Sequence, residues 1–290
     1  MYTIFTDSCV DMNPAVVAQF EDLRILPLNY TLSGETRPDA LGDEKITAEF
    51  YNRLRAGEGC TTSQISPGEF VEAYRPYVEK GEPILCLHFS SGLSGTYASA
   101  CLAKDMLLEE FPEAVIEVVD TLCASAGQGL LVYDALKNRD AGMGLEENAQ
   151  WVREHLQSYA HWFTVDDLHF LKRGGRCSPS AAFFGSMLSI KPVLHVSDEG
   201  KLIARAKVRG RHQALKAIAS KFGELDASPD QTIFISHGDC KEDAEIVKRI
   251  LVEQYGCDPE RIILSLIGPV IGSHSGPGTV ALFFRGRDRG

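Results

Sequence analysis

The stretch PILCLHFSSGLSGTYASA, residues 83–100, decides the fold. Its apolar run over residues 84–89 is short, follows Pro83 and stops at Ser90, which predicts a parallel strand buried on both faces rather than a helix. From Tyr97 onward the spacing of Ala98, Cys101 and Leu102, with Asp105, Glu109 and Glu110 interspersed, predicts an amphipathic helix. Ser94-Gly95-Thr96 then occupies its first turn, where unpaired N–H groups point outward and the helix dipole favours an anion. The hydroxyls of Ser90, Ser91, Ser94 and Thr96 add donors, so this turn is expected to meet a small acidic ligand. Three other readings of the same residues compete with it. Ser94 and Thr96 can serve only as helix caps. A phosphate loop needs GxxxxGK[ST], which is absent. A hydrolase elbow needs G-x-S-x-G, and Thr96 stands where its last glycine belongs.

With 290 residues the chain has material for two ordinary domains. Its net charge of −11 repels a phosphate backbone or an anionic membrane over most of the surface, so nucleic acid is not an expected partner. The basic residues Arg285, Arg287 and Arg289 read as a frayed end. Eight cysteines without CxxC or CxxH spacing read as reduced core residues, and no metal-ligand cluster is expected. The chain opens on a strand with no leader pattern and holds no stretch of about 18 apolar residues, which predicts a cytoplasmic protein without stable membrane insertion.

Around the central stretch, strand and helix patterns alternate. Residues 2–5 predict a first strand ending in Thr6-Asp7-Ser8, and Asn13-Pro14 a helix start. Residues 24–30 read as one strand, 33–44 as a surface loop and 47–55 as a helix. Thr62 and Ser63 follow, left free because Ser66 is committed to a capping box with Glu69. A strand over residues 114–119 ends in Asp120-Thr121. Such alternation argues for a parallel sheet covered by helices, with ligands at the carboxyl ends of its strands.

A change of domain is expected near residue 160, giving a domain over residues 1–159 with the anion-binding loops and a mixed α/β domain over 160–290. In the second domain Arg173 and Arg176 flank a glycine pair and suit a carboxylate or phosphate, although pairing with surface acids explains them equally well. Ala181, Phe184, Met187 and Leu188 share a helical face, which is ordinary core unless it faces a cavity, where it would form an acyl-chain wall. Residues 193–196 and 202–208 predict a hairpin. The glycine-rich and proline-rich residues 268–278 read as a rigid loop presenting His274 between Ser273 and Ser275. His237 is a weaker functional candidate, and His88 reads as a satisfied core residue.

Taken in order, Thr6-Asp7-Ser8 with Asp11, Thr62-Ser63-Gln64 with Ser66-Pro67, SSGLSGTY over residues 90–97, Asp120-Thr121, LKRGGR over 171–176, Lys191-Pro192 and IGPVIGSHSGPG over 267–278 resemble the DegV family of bacterial lipid-binding proteins. The resemblance spans essentially the whole chain. It implies a two-domain α/β protein of DegV-like fold, with an N-terminal parallel sheet flanked by helices and a C-terminal mixed α/β domain. One long-chain fatty acid would bind between them, and no other cofactor is implied. It also implies a partner, a separate ATP-dependent fatty acid kinase that phosphorylates the bound carboxylate, so the chain would lack an ATP site and turnover of its own. By the same resemblance Thr62 and Ser94 would hydrogen-bond the carboxylate, supported by Ser63, Gly95, Thr96, Ser273 and Ser275. His274 would contact the carboxylate or the phosphate, and Arg176 would serve the phosphate or the kinase. The competing expectation is a stand-alone serine hydrolase acting on acyl esters or acyl phosphates, with Ser94 as nucleophile and His274 as base.

Overall fold

The computed structural model describes residues 2–177 and 189–290. Chain order in the first part is β1 (Thr3–Asp7), α1 (Pro14–Val17), β2 (Leu23–Leu26), β3 (Asn29–Leu32), β4 (Glu35–Pro38), α2 (Glu44–Arg55), β5 (Cys60–Ser63), α3 (Pro67–Val78), β6 (Ile84–His88), α4 (Thr96–Glu110) and β7 (Ile116–Asp120). Helices α5 (Ala126–Asp140) and α6 (Leu145–His155) follow. The rest is β8 (Tyr159–Thr164), α7 (Leu168–Arg173), β9 (Ile190–Val196), β10 (Leu202–Arg209), α8 (Arg211–Glu224), β11 (Ile233–His237), α9 (Lys241–Tyr255), β12 (Ile262–Leu266), α10 (Pro269–Ser275) and β13 (Val280–Arg285).

The central strand β6 is buried along its whole length and pairs in parallel with β1 on one side and β7 on the other. With β2 they form a parallel sheet in the order β2-β1-β6-β7. The chain leaves β1 towards β2 on one side and β6 lies on the other, so the crevice above the carboxyl ends of β1 and β6 is a topological switch point, where α/β sheets bind ligands. Asp7 closes that end of the sheet: its carboxylate accepts from Phe89 N–H at 2.9 Å and lies 3.0 Å from His88 Nδ1, while His88 Nε2 meets the Tyr74 hydroxyl at 2.7 Å. His88 is therefore a satisfied core residue, as its sequence setting predicts.

A second, mixed sheet has the order β10-β9-β8-β13-β11-β12, with β11 and β12 parallel and its other pairs antiparallel. Between the two sheets runs α5, and ten of its residues are buried. A helix covered on two sides cannot carry bulky residues everywhere. A Cβ on Gly127 would come within 2.2 Å of His161 Nε2, and one on Gly129 within 2.6 Å of the Val10 carbonyl oxygen. These two glycines let α5 approach the layers on either side of it. One apolar core runs through all three layers, from Ile4, Leu85 and Val119 through Leu130 and Leu131 to Phe163, Phe234 and Phe283. The expected division after residue 159 falls at the first residue of β8. We propose to keep it there, with α5 counted in the first domain although part of its surface completes the core of the second.

Several segments differ from their sequence reading. Residues 24–30 are two strands, not one: Pro27 breaks the run, β2 stays in the parallel sheet, and β3 turns into a separate three-stranded sheet of order β4-β3-β5. Its edge β4 lies inside what reads as a surface loop and is exposed throughout, so no apolar pattern marks it. The supposed rigid loop over residues 268–278 is mostly helix α10, with Pro269 at its first position and Gly276, at φ 78°, beyond its end. The frayed end is not frayed: Arg289 is 1% exposed and donates to the carbonyls of Leu122, Leu156 and Ser197.

Candidate functional site

A cavity of ≈ 370 Å³ opens above the carboxyl ends of β1 and β6 and reaches between the two sheets. Its apolar walls come from Phe89 and Leu93 after β6, Phe163 of β8, Val196 and Leu202 of the β9–β10 hairpin, and Ala281 and Phe283 of β13. At one end the lining turns polar: Thr62, Ser63, Gln64, Ser94, Arg176 and His274 meet there. A second, more polar cleft of ≈ 610 Å³ shares Thr62, Arg176 and His274 with it and adds Cys60, Ser33, Arg173 and Ser273. The shared residues stand where the mostly apolar cavity meets the polar cleft.

Each polar residue has a local reason to be there. Thr62 is carried by β5, whose register opposite β3 pairs it with Tyr30. Ser94 lies just before α4, whose N-cap position holds Gly95 with no side-chain cap. Its Oγ accepts from Thr96 N–H at 3.2 Å and lies 2.9 Å from Thr96 Oγ1. With Thr96 donating, the Ser94 O–H stays unengaged, and Thr96 itself does not line the cavity.

His274 lies 2.8 Å through Nε2 from Thr62 Oγ1. Its Nδ1 has no partner among the described residues, and a Cβ on Gly174 would come within 2.2 Å of it. Gly174 has an ordinary φ of −72°, so glycine is needed there for space and not for backbone freedom. Burial, then the charges of Arg176 and Arg173, hold the His274 pKa down at about 4. The ring is neutral near pH 7. The hydrogen-bond network assigns its proton to Nε2, because a bare Nδ1 costs less unpaired than a buried N–H would. Thr62 then accepts from His274 and turns its own O–H outward. Arg176 is held by the carbonyls of Leu93 at 3.2 Å and Gly174 at 2.6 Å, which ties it between the Ser94 loop and His274.

The Ser94–His274 pair expected of a hydrolase is not formed, since the imidazole is bonded to Thr62 and Ser94 to Thr96. Ser273 faces away from the cavity, its hydroxyl donating to the Pro269 carbonyl at 2.6 Å and lying 2.9 Å from Cys60 Sγ. Ser275 does line the cavity. His237 lines neither cavity. Ala181, Phe184, Met187 and Leu188 lie outside the described residues. Residues that sequence reasoning did not single out also line the cavity, among them Cys9, Ser125 and His161; a buried histidine within a β-strand gave no signal of a cavity wall. Among the described residues no three metal-ligating side chains cluster, and no helix is long and apolar enough to cross a membrane.

Beneath the site, two buried carboxylates face the start of α10. Asp11 accepts from Gly268 N–H at 2.8 Å, and the Asp39 carboxylate is eased by Val270 N–H and Ser8 Oγ, although neither of its oxygens has a partner at hydrogen-bonding geometry among the described residues. Burial is the main cause that raises the Asp39 pKa to about 7. A carboxyl whose folded pKa is raised contributes stability below its unfolded pKa and loses it as the pH rises through the folded one. Asp39→Asn is therefore expected to raise the melting temperature by about 5 °C at pH 8, with the gain shrinking as the pH falls towards 4. Thermal unfolding at several pH values checks this, and an equal gain at every pH would contradict it.

These features define a class, an α/β protein of two stacked sheets whose switch-point crevice is an apolar cavity with a polar, cation-flanked mouth. More particularly, the chain belongs to the DegV family: the family model described as "Uncharacterised protein, DegV family COG1307" matches residues 1–287. A DegV domain-containing protein of Clostridium perfringens is 44% identical over 286 residues, covering 98% of this chain and 97% of the relative. The fold is similar to that of a DegV family protein of Thermus thermophilus described as binding fatty acid, with TM-score 0.87, 31% identity and coverage of 98% and 99% of the two chains. It is also similar to a stearic acid-binding protein of Eubacterium ventriosum, with TM-score 0.86, 26% identity and 99% of each chain covered.

Proposed function

We propose that this chain binds one long-chain fatty acid, with the acyl chain in the cavity between the sheets and the carboxylate at Thr62, Ser94 and His274. The observation that carries this reading is one mostly apolar cavity whose aromatic and aliphatic walls lead to two hydroxyls, a neutral imidazole and a guanidinium, three of which it shares with an adjoining polar cleft. A carboxylate offers about four acceptor sites, and the Thr62 and Ser94 hydroxyls with Arg176 nearby supply donors for them. Each buried CH₂ adds roughly 0.8 kcal/mol, so a long tail supplies most of the affinity once the head group is paired. The likeness to relatives described as fatty-acid-binding supports the same reading.

The chain is a carrier without turnover of its own, and it presents the carboxylate to a separate ATP-dependent kinase, which makes the acyl phosphate. The polar cleft that shares Thr62, His274 and Arg176 with the cavity is the side from which that partner approaches, and Arg173 and Arg176 balance the charge added by the phosphoryl group. The test is acyl phosphate formation from ATP and a loaded fatty acid with the cognate kinase. Arg176→Ala is expected to lower the rate about tenfold or more, and an unchanged rate would rule out this role.

A further inference from the structure

Gln64 has no part in the reading above, yet it sits at the cavity mouth between the two hydroxyl-bearing segments. Its Nε2 donates to Ser99 Oγ in α4 at 2.9 Å, so its side chain crosses from the end of β5 to the helix that follows Ser94. Gly95 shows how closely the carboxamide is seated: a Cβ there would fall 2.1 Å from Gln64 Oε1 and 2.9 Å from its Cδ. The φ of Gly95 is −77°, a conformation open to any residue. Glycine is thus required at position 95 to make room for the Gln64 amide and not by the backbone.

We infer that Gln64 is a positioning residue of the head-group site: its carboxamide spans the β5 and α4 segments and fixes the separation between the Thr62 and Ser94 hydroxyls. A carboxylate holds its two oxygens at a fixed spacing, so donors on two separate segments grip it together only if the distance between those segments is set. A head group with a single oxygen, such as an alcohol, engages one donor at a time and does not need that distance. This inference rests on the fatty-acid reading above and adds to it the residue that tunes discrimination for the carboxylate.

The geometry supplies its own test. The three atoms nearest an alanine methyl at position 95 all belong to the far end of the flexible, exposed Gln64 side chain, which can swing away. Gly95→Ala therefore breaks the bridge while leaving the fold intact, and it should act through Gln64. Wild type, Gln64→Ala, Gly95→Ala and the double variant are titrated with palmitic acid and with hexadecanol, and their melting temperatures are recorded. Each single variant is expected to bind palmitic acid about tenfold more weakly, the double variant no more weakly than either, and hexadecanol within about twofold of wild type throughout. Losses that multiply in the double variant, or an equal loss for the alcohol, overturn the inference, since the methyl would then act directly on the ligand or the change would be general. Wild type that binds neither compound overturns the fatty-acid reading itself, a result distinguishable from either of those.

Discussion

Replacing Thr62 by valine and Ser94 by alanine together is expected to weaken long-chain fatty acid binding about 1,000-fold, and each change alone about 30-fold to 100-fold. A hydrogen bond to a charged group contributes roughly 1.5–3 kcal/mol, and the two hydroxyls are donors on separate segments that converge on one end of the cavity. Thr62→Val is nearly isosteric, so it removes the O–H while leaving a strand residue of the right shape in β5. It also leaves the His274 N–H without its acceptor, because Thr62 Oγ1 is the partner of Nε2. Ser94→Ala removes one acceptor for the Thr96 N–H, a smaller structural change at an already uncapped helix start. Titration with palmitic acid measures the effect, and unchanged melting temperatures of the unliganded variants separate lost binding from lost fold. Loss of less than about threefold in the double variant would place the carboxylate elsewhere.

The second large effect is expected far from the mouth. Arg289→Ala should destabilise the protein by about 3 kcal/mol or more, because a guanidinium bound to several carbonyls is replaced by a space with unpaired acceptors. Arg289 joins three segments that are distant in sequence: the loop after β7 at Leu122, the end of α6 at Leu156, and the start of the β9–β10 turn at Ser197, with Cys123 Sγ 3.6 Å away. The loop after β7 continues into Ala124 and Ser125, and the hairpin contributes Val196 and Leu202, all of which line the cavity. The same substitution should therefore also loosen the cavity walls. Arg289→Lys keeps the charge but not the forked geometry, and it should recover only part of the loss. Urea unfolding with a constant m-value measures both variants; a change within about 0.5 kcal/mol for Arg289→Ala would show that the carbonyls are satisfied by other means.

What the sequence made legible follows from which signals are local. The strand over residues 84–88, the helix after Ser94, the Asn13 and Ser66 caps and the β9–β10 hairpin are all written in a few neighbouring residues, and each is found where its pattern lies. The Ser94 hydroxyl stands out locally, where the apolar run of β6 ends and a helix begins, whereas Thr62 is only left free by the Ser66 cap, and its place opposite His274 depends on a contact 212 residues away. Pro27 was also a local signal, and it marks the break between β2 and β3 that a single strand over residues 24–30 ignores. Arg289, by contrast, has no local signature: a Gly- and Arg-rich run looks frayed until carbonyls from three other segments are seen around it. His161 and Gly127 likewise acquire meaning only as a pair, since the glycine marks where α5 must approach the imidazole. Gln64 lies between, visible in a polar stretch but interpretable only once Gly95 is placed against it.

The central claim is that one fatty acid occupies the cavity with its carboxylate at the polar end. Its most direct test is mass spectrometry of the organic extract from purified, denatured protein, run beside the Thr62→Val/Ser94→Ala variant and repeated on both proteins after incubation with palmitic acid and gel filtration. The account predicts close to one equivalent of long-chain fatty acid retained by the wild type and little by the variant. Wild type that yields no fatty acid on purification and retains none after loading, or a variant that retains as much as wild type, would contradict it.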